Sequence, residues 1–305
     1  MKKSIIKNSM KTVIAALALC LTAACAPKAQ TVDQVTADSS NSQIIGGVDS
    51  SADFQRENGI VGLLMVFVNA KGEQSGAICT GSLIKPNVVL TAAHCLTIPA
   101  EKKLVAALIV FNNNLEVALK ELNEGNRSHI RIANKALQHE SYMKKGEDSQ
   151  NDVGLLRFAG DLPDGFKLAK RLDVAAAKTQ IIKGVSMTLS GFGVSKYELT
   201  PDEKGKLTKP TGSGDGILRQ VDNIKLLEMS EHELALDQSK GAGACHGDSG
   251  GPAYITVTNG ATKTTYLVGV TSRGEGLCDK WVIYSNVVSY SQWIDTTVEK
   301  LVAAQ

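Results

Sequence analysis

The sequence predicts an all-β chain, a sandwich or a set of barrels, closed by a single C-terminal helix. Short apolar and β-branched runs recur from Ile44 onward, among them "IVGLLMVFV", "NVVLTAA", "DVGLLRF", "GVSMTLSGF", "TYLVGVTS" and "KWVIYSNV". Glycines and polar clusters separate them, and no helices interleave, which is the pattern of a sandwich or barrels. The tail breaks the pattern. In "SQWIDTTVEKLVAAQ", Ile294, Val298, Leu301 and Val302 fall on one helical face, and Ser289 or Ser291 is placed to cap the start. The length, 305 residues, allows one large unit or two smaller ones with ample chain to bury a core.

In order along the chain, residues 1–25 read as a signal peptide. "MKKSIIKNSMK" is a basic n-region, and "TVIAALALCLTAACA" is an apolar stretch too short to span a membrane comfortably. Its end, "LTAAC", resembles a bacterial lipobox, with Thr22 where an aliphatic residue is usual. Lipidation of Cys25 and ordinary cleavage nearby are the two readings; Cys20 belongs to the discarded segment. Residues 26–43 are polar, lack aromatics and cannot bury enough apolar surface to order themselves, so they form a linker or propeptide. Without residues 1–43 the formal charge moves from +2 to −1, which leaves no basic surface to argue for nucleic acid.

The folded part, residues 44–305, ends in a helix over about 289–304. "EKKLVAALIVFNNNLEVALKELNEG" can be read locally as helix, but the surrounding pattern favours strand. The stretch from Ser195 to Gly216 is polar and rich in Pro, Gly and Lys, and reads as an exposed loop open to nicking. Four cysteines remain after the leader: Cys79, Cys95, Cys245 and Cys278. An even count in an exported chain suggests disulfides, and zinc fails on spacing because no CxxC pair or HxxxH is present.

The chemistry centres on "GACHGDSGGP". A serine hydroxyl is a poor nucleophile unless a base takes its proton, a third group orients the base, and donors face the oxyanion that forms. Glycines around Ser249 permit a tight turn whose N–H groups converge, with those of Gly247 and Ser249 as the oxyanion hole. Of the five histidines, only His94 sits in an apolar strand ending beside a cysteine, "LTAAHC". His129 and His232 lie in polar segments and read as solvated, His139 as structural, and His246 as part of a cleft rim. Asp152, in "NDVGLLRF", precedes an apolar run, so it would be partly buried and would need a donor such as a histidine Nδ1–H.

Together these stretches resemble the chymotrypsin/trypsin-like serine peptidase family, and the leader suggests a bacterial secreted member. "IIGG" resembles the mature N-terminus, "CTGSLI" with "VVLTAAHC" the approach to the catalytic histidine, "NDVGLLRF" the aspartate motif, "SGFG" a C-terminal barrel strand, and "GDSGGP" the serine. The order His94, Asp152, Ser249 is that of the chymotrypsin triad. The resemblance implies two six-stranded antiparallel β-barrels, the N-terminal over about 44–165 and the C-terminal over about 166–288, with the triad between them, and disulfides Cys79–Cys95 and Cys245–Cys278; no cofactor or metal is expected. It implies activation by cleavage before Ile44, the new amino group pairing with Asp248. Protein or peptide substrates and an activating protease are the expected partners, with a monomer and no nucleic acid, and membrane contact is expected only through a lipid anchor at Cys25.

Departures from the family pattern bear on specificity. Gln43 precedes Ile44, where precursors activated by trypsin carry Lys or Arg, and the His94–Asp152 interval is long. Gly243 and Ala244 put no charge at the base of the primary pocket, whose remaining lining the resemblance gives as His246, Ser272, Arg273, Gly274 and Val282. Arg273 stands where a tryptophan is usual. Val282 would shorten the pocket, so cleavage after small or medium apolar residues is expected. The alternative function is a catalytically silent binding protein on the same scaffold.

Overall fold

The computed structural model describes residues 44–143, 150–198 and 211–303. The leader, the linker and the middle of the 195–216 stretch lie outside them. Six strands close the first barrel: β2 (Ile60–Asn69), β3 (Gln74–Lys85), β4 (Val88–Thr91), β5 (Lys102–Val110), β6 (Ile130–Gln138) and β7 (Gly154–Phe158), in the order β2-β3-β4-β7-β6-β5. The second comprises β8 (Ser186–Gly191), β11 (Arg219–Met229), β12 (Glu233–Asp237), β13 (Pro252–Asn259), β14 (Thr262–Gly274) and β15 (Trp281–Asn286), closed by β8 pairing with β11. All neighbouring barrel strands are antiparallel, and the short β1 (Val48–Asp49) adds to β11 at the edge. Closure removes the unpaired edges that short strands would otherwise present.

Three short helices interrupt the strands: α1 (Ala52–Asn58), α2 (Leu115–Asn123) and α3 (Val174–Gln180). The second corrects the all-strand reading of 101–125, because only its first part is strand. Asn114 caps α2 by accepting from the N–H groups of Glu116 and Val117, and Leu115, Ala118 and Leu119 supply one buried face at helical spacing. The polar stretch after Ser195 is likewise not all loop. Its ends form a ribbon of β9 (Lys196–Glu198) and β10 (Thr211–Ser213), and Ser195 itself is buried.

The terminal helix α4 (Ser291–Ala303) packs Ile294, Val298 and Leu301 into the core that contains the first barrel, with Thr297 buried beside them. Burying each of these aliphatic side chains contributes roughly 1.5–3 kcal/mol. Two expectations fail here. Val302 is largely exposed, since its place in the helical rotation falls to the edge of the stripe. Neither serine caps the helix: the Ser289 hydroxyl donates to Glu231 O and the Ser291 hydroxyl to Val287 O. Arg171 and Trp293 add polar ties from α4 to the body, through Asp295 at 2.5 Å and Glu140 at 2.7 Å.

The barrels meet where the turn after Asp248 touches β3 and β4. Thr80 N–H donates to Ser249 O at 2.8 Å, and Thr80 Oγ1 donates to Gly247 O at 3.2 Å. Gly250 has φ +79°, and a Cβ there would overlap Thr91 Oγ1 and the Thr80 carbonyl oxygen. Gly250→Ala is therefore expected to lower the unfolding free energy by at least about 1–3 kcal/mol, from the backbone conformation alone. Chemical denaturation of the variant checks this, and unchanged stability would mean that the barrels do not approach so closely here.

Candidate active site

His94 opens a 3-10 turn (His94–Leu96) just beyond β4. Its ring Nδ1 donates to Asp152 Oδ2 at 2.7 Å, and its backbone N–H donates to Asp152 Oδ1 at 2.8 Å. Two contacts from one residue fix both the position of the ring and the proton on Nδ1, leaving Nε2 as the acceptor. Asp152 is only 2% exposed, more deeply buried than its sequence context implies. Asn151 before it takes a left-handed backbone, φ 61°, with Val153 N–H returning to Asn151 O at 2.8 Å, and this tight turn aims the carboxylate inward. Ser272 Oγ also donates to Asp152 Oδ2, at 2.7 Å, and Ser285 Oγ donates to the Asp152 carbonyl at 2.9 Å. A buried carboxylate is costly without donors, and this one has three.

Ser249 is half-buried on the turn that follows Cys245. The Sγ of Cys95 lies 3.8 Å from His94 Nε2 and 3.6 Å from Ser249 O, so His94 and Ser249 flank the same disulfide. The Ser249 hydroxyl makes no hydrogen bond among the described residues; hydrogen bonds of this kind often tighten only when substrate binds. On the same turn the Asp248 N–H is taken by Cys245 O at 3.0 Å, while those of Gly247 and Ser249 have no acceptor among the described residues. Disulfides join Cys79 to Cys95 and Cys245 to Cys278. Their sulfurs lie near His94 and His246, but a disulfide sulfur is not a thiolate and cannot hold a metal there.

Asp248 is fully buried. Its carboxylate accepts from Cys245 N–H (Oδ2, 2.8 Å) and Gly193 N–H (Oδ1, 2.8 Å). Burial pushes its pKa up to about 7, against the pull of those two donors and of Arg219. Ile44 is fully buried in the second core, and Gly243 N–H donates to Ile45 O at 2.8 Å, which seats residues 44–47 against the loop leading to Asp248.

Gly243 and Ala244 are buried. Val282 is 2% exposed and lies opposite Gly274 across β14 and β15 and opposite Leu236 across β12 and β15. Arg273 is paired with Glu233 through both nitrogens, at 2.6 and 3.0 Å. His246 is exposed, its ring 4.8 Å from that of Tyr197 on β9. The other histidines are structural: His129 bonds Glu121 at 2.7 Å, and His139 packs on Trp293 and Tyr290. His232 stacks on Tyr290 with a buried Nδ1, so the solvated reading does not hold for it, whereas the side chain of His129 is 38% exposed. Sequence reasoning missed the Ser272 hydroxyl on Asp152, and it missed Gln238 beneath Gly243 and Arg219 beside Asp248; no local pattern marks them.

The trypsin family model matches residues 56–294. Serine protease ea of Drosophila melanogaster is 26% identical across 77% of this chain and 63% of its own length, so the chain spans under two thirds of that relative. Lectizyme of Glossina austeni is 30% identical over 73% of this chain and 78% of its own. These relatives are animal proteins and lend no support to a bacterial source. A solved HL collagenase structure covers 83% of this chain and 98% of its own at a TM-score of 0.60 and 21% identity, a likeness that bears on the fold. With both barrels and the cleft between them inside the matched segment, the chain belongs to the trypsin family.

Proposed function

We propose that this chain is an exported serine endopeptidase, activated by cleavage before Ile44, that cuts peptide bonds after small or medium apolar residues. One observation carries the reading: a buried Asp152 carboxylate holds His94 by two atoms, with its ring Nδ1 at 2.7 Å, beside Ser249. His94 Nε2 would take the proton from Ser249 Oγ as that oxygen attacks the substrate carbonyl, and would return it to the leaving amine. The free N–H groups of Gly247 and Ser249 would meet the oxyanion. Water then releases the acyl group by the same steps. A silent binding protein on this scaffold is the second reading, and the idle Ser249 hydroxyl is what favours it. Covalent labelling by a fluorophosphonate separates the two.

Replacing Ser249, His94 or Asp152 by Ala is expected to remove nearly all peptidase activity while the protein stays folded. The losses should be far from additive, because the three act as a unit. Near-normal turnover in His94→Ala would end the assignment of the base.

Activation rests on the seat of Ile44 and on Asp248. With Asp248 near 7 in the folded chain and about 4 when unfolded, the stability given by its neutral form is whole below pH about 4 and is lost as pH rises through 7. A new ammonium at Ile44 favours the charged form and removes that loss. Ser249→Ala precursor is expected to lose on the order of a few kcal/mol between pH 4 and 7, and the form beginning at Ile44 much less. Denaturation series on both forms check this; equal slopes would sink the pairing. Trypsin should not cleave at Gln43. Anchoring at Cys25 would end with the same cleavage.

An arginine before the scissile bond would bury its charge against Gly243 and Ala244 unpaired, a cost of several kcal/mol. Ala, Val or Leu are therefore expected to exceed Arg by on the order of a hundredfold in kcat/KM, at about 1.4 kcal/mol per tenfold. Phe should fall between them if Val282 shortens the pocket. Matched peptides differing only at that residue provide the measurement, and Arg ranking first would overturn the reading.

A further inference from the structure

We infer that Gln238 sets the floor of the primary pocket, an inference that rests on the proposed peptidase function. Gln238 follows β12, has no exposed surface, and lies in "LDQSKGAG". Its side-chain Oε1 accepts the Ala244 N–H at 2.6 Å, and its Nε2 donates to the Cys278 carbonyl at 3.1 Å. Its backbone N–H donates to Lys280 O at 2.9 Å. One carboxamide therefore ties the Gly243–Ala244 segment to the opposite wall, in parallel with the Cys245–Cys278 disulfide.

The same side chain excludes any other at 243. A Cβ on Gly243 would overlap the oxygen, the carbonyl carbon and the Cγ of Gln238. An aspartate at 243 would force the Gln238 side chain out of this space and off its bonds to Ala244 and Cys278, so the neutrality of the floor is a property of the pair. A substrate side chain finds backbone and an uncharged amide there, whose oxygen and nitrogen are each already engaged by a backbone partner. Gln238 is thus a positioning residue: it acts through Gly243 and Ala244 and need not touch substrate.

The test compares wild type, Gly243→Asp and Gly243→Asp with Gln238→Gly, each cut to begin at Ile44. Melting is read on a Ser249→Ala background, and kcat/KM on matched Leu and Arg peptides. Gly243→Asp alone should melt well below wild type and leave the Arg/Leu ratio unmoved. The double variant should recover part of the lost melting temperature, since a side chain at 243 keeps the strain of its +156° φ, and raise that ratio at least tenfold, a change that loss of structure alone does not produce. A stable Gly243→Asp single variant, or a folded double variant with the old ratio, would overturn the inference. If the double variant does not fold, Gln238→Glu keeps an acceptor for Ala244 and adds charge. It should raise the ratio tenfold, and no change would count against the inference. Wild type inert on every peptide would instead refute the peptidase reading, while the melting comparison still decides the 238–243 pairing.

Discussion

The buried carboxylate of Asp152 is the constraint around which the two barrels are arranged. It comes from the first barrel, and so does one donor residue, His94; Ser272 reaches it from the second, while Ser285, also from the second, bonds the Asp152 backbone carbonyl. An isolated carboxylate would be expelled or neutralised in such a place. Each donor relieves part of that cost, and they can do so together only if β4, β7, β14 and β15 keep their relative placement. The interface is thus fixed by a polar requirement at its centre as well as by apolar packing around it. The ring of His94 inherits that precision, since it is held by the same atom that Ser272 holds.

A second set of buried charges governs the turn that carries Ser249. Asp248 has two backbone donors and lies in the field of Arg219, itself 1% exposed. Arg219 is matched in turn by Asp49 at 3.0 Å and by the carbonyls of Gly193 and Gly214. The charges alternate from the segment after Ile44, through β11, to the turn. The two buried groups, Arg219 and Asp248, are each tolerable because of a neighbour, and Asp49 supplies the exposed outer partner, so the N-terminal segment and the turn are electrostatically one unit. That is the physical sense in which docking of Ile44 can matter to a site it does not touch.

Much of this was legible in the sequence. Short apolar runs between turn residues gave a sandwich or barrels, the family resemblance chose two antiparallel barrels, and the ordered motifs around His94, Asp152 and Ser249 singled out residues that the fold brings close together. The short helix α2 was less legible, because a strand and a capped helix are fused in one apolar run and only Asn114 marks the change. Ser272, Arg219 and Gln238 were not legible as they function. Each is an ordinary polar residue whose role comes from partners 120, 170 and 40 positions away in sequence, or nearby only through a folded loop. Local pattern carries no trace of such pairings.

The character of the primary pocket follows from the same principle. Acidic residues do surround it: Glu233, Asp248 and Glu275 all belong to its walls or their neighbours. Each is already committed. Glu233 is bound by both nitrogens of Arg273, and Glu275 accepts the N–H groups of Leu277, Asp279 and Lys280 within its own loop. Asp248 is closed inside the turn by Cys245 and Gly193. For any of them to serve an incoming cation, its carboxylate would have to be shared with, or drawn away from, the partners it already holds. A neutral pocket here is therefore the result of where the acids are bonded, and composition near Gly243 alone would understate how firmly it is held.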